Sequence, residues 1–596
     1  MPGPFYFAWV PSTQTVFDSS IHAVWEEDVV SMEIMHREGE FAGLSVIIKN
    51  PRQGLLASGR RQWAWLSYEN GSPGPVPLFF GRLVAVPADL DEEAVKLEFI
   101  ARPIDFEEQK EALAETLRVH PWWDPIWITE PERDNPDSIL ESRSEAWHID
   151  RVTHLVTLSD MIEGEDGTIE IGEADIVAES LSMSYGQPPL RSVRIKAEVH
   201  WTQVGEGEVD CTIPLAEAFD AAGTDGEGRI SSLTGDGLIN DWPDENAEIG
   251  GGWTFGPFDI TRLSGGSKTV ECQYFDAPDD PDPIDAFFAQ PIIIKFPIWN
   301  FHSNFVLRYK AERSRSETLT FTLSADCQRI TFESGDLTRE TIALSSSSLM
   351  EEIDPTGSTG TYLKPIRDLR RPNYFPTDRG RESLEYLICL AASRIKRRAR
   401  TVEIISTIRF EAGIDISLRM NGHITDARLP GGEATGKITA YRLYGSGDGE
   451  FGCQITVGCT IGEGGSVSAN HGGPSYGADG YMDTGYQLME GQTWVPIDGV
   501  YYEDFFVPPN DDGIDFFDMV AEELIKNIEV INGETIQRNA LDGQFADVAQ
   551  AVAALNAVPT EVDLTMKPVE GGPFTTNYTV VVSGLKIPKT IELAAP

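Results

Sequence analysis

Carboxylates are the most abundant chemically capable groups in this chain. It has 95 Asp and Glu against 47 Lys and Arg in 596 residues, with nine His and six Cys. Two carboxylates roughly 5–10 Å apart hydrolyse glycosides, and exposed tryptophans stack on sugars. Candidates for stacking are Trp122 and Trp123 in HPWWDPIWI, and Trp63 and Trp65 in RQWAWLSY. With so many acids, however, close pairs arise by chance, and the tryptophans read as core or interface aromatics.

Metal and thiol chemistry is poorly supported. In GTDGEGRISSLT, Asp225, Glu227, Gly228 and Ile230 occupy the ligand, ligand, glycine and apolar positions of an EF-hand loop. Gly223 stands where the first ligand belongs and Thr234 where the bidentate carboxylate belongs, so the segment reads as a solvated turn. His148 and His154 of WHIDRVTH, if on one strand, would lie about 20 Å apart, too far to share a metal. His200 falls on the polar face of an amphipathic strand and reads as a surface histidine. In GCQITVGCT, Cys453 and Cys459 share a strand face with Ile455, Val457 and Ile461. Six residues of strand span about 20 Å, which excludes a bond between these two thiols and leaves them as buried free cysteines. No C-x-x-C pair suggests structural zinc. There is no G-x-G-x-x-G before a helix, no Walker A loop, no H-E-x-x-H and no G-x-S-x-G. No catalytic, cofactor-binding or metal residue is therefore assigned, no cofactor is expected, and the chain reads as a non-enzyme.

Strands must position most of what remains. Period-2 alternation recurs in Val193, Ile195, Ala197, Val199 and Trp201, set against Arg194, Lys196, Glu198 and His200. It recurs in Leu319, Phe321, Leu323 and Ala325, in Val402, Ile404, Ile408 and Phe410, and in Val95, Leu97 and Phe99. Such alternation marks half-buried strands. Four helices are expected. One covers about 106–118, with Asp105 and Glu108 spaced as a capping box ahead of Phe106, Leu113 and Leu117, and Pro121 beyond. A longer one starts near Asp378 and carries Leu384, Leu387, Ile388, Ala391 and Ile395 at helical spacing. Its basic end, SRIKRRAR (393–400), complements the helix dipole and makes local salt bridges rather than binding nucleic acid. The third runs from about Asp515 through Val520 and Leu524, and the fourth, Ala-rich, covers about 543–556.

Charge and composition bound the partners. A formal charge of −48 and a pI near 4.4 disfavour duplex nucleic acid and anionic membrane surfaces. Fifty-five glycines and 37 prolines predict frequent turns. No stretch is long and apolar enough for a transmembrane helix. The N-terminal MPGPFYFAWVP lacks the basic region and cleavage site of a signal peptide, so cytosolic synthesis without export is expected. Breaks fall at 224–252, at the acidic Pro segment 277–286, at EEIDPTGSTG (351–360) and at the glycine-rich 462–480.

Two stretches carry a resemblance. The first is PLFFGRLVAVPADLDEEAVKLEFIARP (77–103), followed by the capped helix and NPDSILESRSEAWHIDRVTHLVTLSD (135–160). The second is RESLEYLICLAASRIKRRARTVEIISTIRF (381–410), followed by 416–462, with the turn glycines Gly431, Gly432 and Gly436 before Lys437 and Ile438. Together they resemble the hub proteins of tail tips and baseplates in long-tailed, siphovirus-like phages and related gene transfer agents. The likeness covers about a third of the chain and carries no catalytic signature.

The resemblance implies a mainly β, multi-domain fold with a few helices. Small β-barrel or sandwich hub domains would be joined to α+β elements. The expected division is an N-terminal β-rich hub domain over 1–185, a second β-rich domain over 186–350 and a linker over 351–375. A helix-plus-long-strand hub domain over 376–465 and a loop-rich α+β region over 466–596 complete it. The implied function is structural: a homotrimeric ring at the virion tail tip, assembled in the bacterial host cytoplasm. Its partners would be the distal tail protein, the tape-measure end and a central fibre or spike, with DNA passing through the lumen. Two alternatives stand beside it, a receptor-binding fibre-like tail protein and a carbohydrate-active β-rich enzyme acting on bacterial surface glycans.

Overall fold

A computed structural model describes residues 4–25, 28–49, 62–69, 74–85, 93–210, 238–240, 248–250, 253–271, 298–327, 338–346, 351–353, 363–365, 374–375, 378–447, 449–464, 495–497, 500–502, 525–532, 560–566 and 575–593. The EF-hand-like segment at 223–234, the acidic segment 277–286 and the helices expected near 515–524 and 543–556 lie outside these residues.

Apolar alternation builds one large sheet. It contains β1 (Phe5–Val10), β2 (Asp28–Arg37), β3 (Gly43–Lys49), β4 (Trp63–Tyr68), β5 (Val76–Leu83) and β6 (Ala94–Ile100). From later in the chain come β9 (Thr168–Gly172), β10 (Ser182–Tyr185), β19 (Arg400–Ile408), β20 (Asn421–Thr425), β21 (Glu433–Ser446) and β22 (Phe451–Thr460). The order is β1-β4-β5-β6-β3-β2-β21-β22-β19-β10, with β20 beside β21 and β9 parallel to β20. Strand β2 joins the N-terminal half to the C-terminal half by pairing antiparallel with β21, Ser31 opposite Ser446 through Arg37 opposite Ala440. Leu44, Val46, Ile48, Val95, Leu97 and Phe99 fill the shared core with Val402, Ile404, Cys453, Ile455, Val457 and Cys459. Both cysteines are buried and free, and loss of solvation pushes each thiol up to about 12.

A hairpin crosses beside this sheet, formed by β7 (Glu145–Ile149) and β8 (Val156–Asp160). A second sheet holds β11 (Leu190–Asp210), β13 (Glu248–Gly250), β14 (Trp253–Glu271), β15 (Ile298–Asp326), β16 (Thr338–Ser345), β27 (Thr575–Thr579) and β28 (Leu585–Lys586). Strand β15 is 29 residues long, and its pairing with β11 runs from Ser192 opposite Ser324 to Asp210 opposite Val306. At about 3.3 Å per residue such a strand extends roughly 95 Å. The remaining strands make smaller sheets: β26 (Thr560–Met566) between β12 (Leu238–Asn240) and β25 (Ile525–Asn532), β17 (Glu351–Ile353) with β18 (Leu363–Pro365), and β23 (Val495–Ile497) with β24 (Val500–Tyr502).

The described residues hold four α-helices: α1 (Ser19–His22), α2 (Phe106–Leu117), α3 (Glu130–Arg133) and α4 (Asp378–Arg397). Leu384, Leu387, Ile388, Ala391 and Ile395 of α4 are all buried against Val193, Ile195, Val199, Leu319, Phe321 and Leu323 of the second sheet. No described helix is long and apolar enough to cross a membrane.

The mainly β class with few helices holds, and two expectations are corrected. No sheet among the described residues closes into a barrel: the large sheet runs open from β1 to β10. Alternation specifies which side chains face inward, but closure depends on strand tilt and stagger that alternation does not encode. At α2 the capping box does not form, because Asp105 makes no side-chain cap bond and instead accepts from the Gln109 side chain at 2.8 Å.

Candidate functional site: a buried cationic junction

The chain between β7 and β8 turns at Asp150. Its Oδ1 accepts the backbone N–H groups of Val152 (2.9 Å) and Thr153 (2.6 Å), and His154 sits at a positive φ of 59°. This Asx-type turn makes WHIDRVTH a hairpin rather than the single strand considered from sequence. His148 lies on β7 and His154 beyond the turn. Each is buried, and His154 donates from Nε2 to the Phe80 carbonyl at 2.8 Å.

Arg151 projects from the tip into the end of the large sheet. It donates to the carbonyls of Leu78 (2.9 Å), Ile414 (2.5 Å) and Ile416 (2.6 Å), and to the Tyr441 hydroxyl (2.6 Å). In return, the Phe80 N–H donates to the Arg151 carbonyl at 3.0 Å. One guanidinium thus ties β5, the segment after β19 and β21 to the hairpin. It is 6% exposed, and carbonyl partners compensate its desolvation.

Lys437 supplies the second buried cation. Gly431 and Gly432 turn the chain into β21 at φ of 75° and 79°, and Gly436 lets the backbones of β21 and β22 approach. A Cβ at Gly436 would lie 2.4 Å from the Gly458 carbonyl oxygen. The next residue, Lys437, is fully buried and reaches Glu38 Oε1 (3.0 Å) and Ser159 Oγ (2.8 Å). Arg400 closes on the same Glu38. Burial pushes the Lys437 ammonium down, and Glu38 opposes that shift. Arg419 adds a third tie to β8, through the Leu158 carbonyl at 2.7 Å, while pairing with Glu165 and Asp166.

Two histidines sit inside this ring of cations. His36 and His148 stack with ring centres 5.6 Å apart and planes 29° apart. His36 bonds through Nδ1 to the Tyr441 hydroxyl (3.0 Å) and through Nε2 to the Glu40 carbonyl (3.2 Å). Burial, with His148 and Arg151 nearby, pushes the His36 imidazole down to about 3. Burial likewise pushes His148 down to about 4; Asp150 resists, while Arg419 and Lys437 assist.

Other residues singled out from sequence take structural places. Trp63 and Trp65 are buried and stack on Phe80. Trp123 is buried beside Arg118, and the 37%-exposed Trp122 lies under the Arg143 guanidinium. Arginines of the basic run at the end of α4 bond to other segments. Arg397 reaches the Leu140 and Arg143 carbonyls, and Arg398 reaches Pro188. Among the described residues no cluster of His, Cys, Asp and Glu is arranged to hold a metal. Of the junction, sequence reasoning had singled out His148, Arg400 and Lys437. It assigned no role to His36, Glu38 or Tyr441, which the pairing of β2 with β21 brings together.

No protein-family model matches the chain, and no curated protein matches it. Among solved structures it is similar to the 43 kDa tail protein of prophage MuSo2 from Shewanella oneidensis, at 8% identity over 72% of this chain and 94% of that one, with a TM-score of 0.29. It is similar to the tail protein from Neisseria meningitidis MC58 (8%, 72% and 92%, TM-score 0.30) and to prophage tail protein gp18 from Listeria monocytogenes EGD-e (8%, 72% and 88%, TM-score 0.27). These TM-scores lie below the level of a shared fold.

Proposed function

We propose that this chain is a structural component of a phage-like tail tip or baseplate: a hub subunit that forms a homotrimeric ring. In this reading the ring joins the distal tail protein and the tape-measure end to a central fibre or spike, and DNA passes through its lumen. The division into hub domains at about 185, 350, 375 and 465 belongs to the same proposal.

One observation carries the reading. The two stretches that resemble hub proteins are far apart in sequence, yet both send strands into the large sheet and meet at one junction. Lys437 of the second reaches Ser159 of the first at 2.8 Å, and Arg151 of the first holds the carbonyls of Ile414 and Ile416 beside the second. The likeness therefore belongs to one architectural unit. Its buried cations are taken up by backbone carbonyls, hydroxyls and Glu38, an arrangement that suits a rigid scaffold. In the second sheet β15 is flanked by β11 and β14, and among the described residues the extended backbone edge is the outer side of β14 beyond Thr254, of the kind that pairs with neighbouring subunits; closed symmetry is the usual outcome for a ring.

Light scattering on the purified chain across a concentration series tests the assembly. A mass of three times 65.7 kDa is expected. Hydrolysis of bacterial wall or capsule that a single Asp or Glu substitution abolishes would overturn the structural reading.

A further inference from the structure

The hydrogen bonds at His36 run in one direction. Arg151 has only donors, so the Tyr441 oxygen must accept from it, and the Tyr441 O–H is then the donor to His36 Nδ1. His36 Nε2 faces the Glu40 carbonyl and so carries the imidazole's single proton. A second proton on Nδ1 would confront Tyr441 with two N–H donors and turn its own hydrogen away from any acceptor in the chain of bonds. The packing thus specifies a neutral His36. His148, stacked on it, buries an Nδ1 that has no hydrogen-bond partner.

The charged surroundings of the pair are mixed, with Arg151, Lys437 and Arg419 set against Asp150 and Asp166. Arg151 and Asp150 face it from the hairpin turn, Lys437 from β21, and Arg419 and Asp166 from the segments flanking β20 and β9. Each nearby carboxylate is already engaged. Asp150 holds the turn N–H groups, Glu38 holds Lys437 and Arg400, and Glu165 and Asp166 hold Arg419. Asp160, at the end of β8, accepts the N–H groups of Ile162 and Glu163. The hairpin's polar ties to the sheet run largely through the cations Arg151, Lys437 and Arg419, and added positive charge works directly against them.

We propose that this junction is an acid-release latch, in which protonation of His36 and His148 frees the β7–β8 hairpin from the large sheet while the rest of the fold stays closed. Buried histidines that must charge are the physical basis of such switches. The proposal does not depend on the tail reading.

Hydrogen–deuterium exchange on the full chain at pH 7, 6 and 5 tests it, with labelling times scaled to the intrinsic exchange rate at each pH. Peptides over 145–160 should lose protection by about tenfold or more between pH 7 and 5, ahead of peptides from β3, β6 and α4. His148→Phe removes a ring nitrogen that bonds nothing and keeps the stacking, so it should fold and shrink that loss. His36→Asn, which retains an acceptor for Tyr441, should shrink it too. Unchanged hairpin protection down to pH 5 would overturn the proposal. So would an equal loss in His148→Phe, which would place the effect on His154 at the other side of the turn or on the carboxylates instead.

Discussion

Two buried ionic centres among the described residues are built around ions of opposite charge. At the junction the buried ions are cations, Arg151 and Lys437, directed mainly at carbonyl and hydroxyl oxygens. Beside α4 they are carboxylates. Asp124 accepts Arg379 at 2.6 and 3.0 Å, Ser383 at 2.8 Å and the Ile126 N–H at 3.0 Å. Glu317, fully buried, accepts the N–H groups of Tyr374 (2.6 Å) and Phe375 (3.0 Å). The sign of each ion follows the backbone group the chain leaves over. Where strand ends and the 414–416 segment present carbonyls, a cation satisfies them; where 374–375 presents N–H groups, a carboxylate does. Both arrangements answer the same requirement, that buried backbone polar groups be paired.

The cationic centre is most vulnerable at Arg151. Arg151→Ala strands three carbonyls and takes a donor from the Tyr441 hydroxyl, and at about 1–3 kcal/mol for each buried group left unpaired it should cost about 4 kcal/mol or more in denaturant unfolding. Acid comes next, at the cationic junction. His36 and His148 have folded pKa values below the ordinary 6.5, so they cost nothing above pH 6.5 and destabilise progressively as pH falls toward their folded values. His148 alone should remove about 3 kcal/mol by pH 4, at roughly 1.4 kcal/mol per unit. Stability measured between pH 7 and 4.5 in His148→Phe should fall less steeply than in the parent. At the anionic centre, Glu317→Gln places an amide donor against a backbone donor and should cost about 1–3 kcal/mol at neutral pH. The smallest effect belongs to the turn that delivers Lys437. Gly431→Ala forces a Cβ into a φ of 75° and within 3.1 Å of the Glu592 side chain, for a loss of about 1 kcal/mol in thermal unfolding.

Much of the scaffold is legible in the residues themselves. Alternation marks β6, β19 and the cores of β11 and β15, because burial on one face repeats every second residue. The stripe Leu384, Leu387, Ile388, Ala391 and Ile395 marks α4, and the pattern around Cys453 and Cys459 correctly reads as buried thiols. The junction is far less legible. Arg151 and Lys437 are residue types that seldom enter cores, and only the meeting of distant segments supplies their partners. Asp150 with Thr153 three residues on was the available signal for the hairpin turn. At Asp105 an equally good local pattern went unused, since the Gln109 side chain took its oxygen.

Gold-labelled antibody against this chain, imaged on intact particles, tests the central functional claim most directly. A hub predicts label at the axis of the tail tip, where tube and fibre meet. Label confined to distal fibres would contradict it and favour a receptor-binding protein.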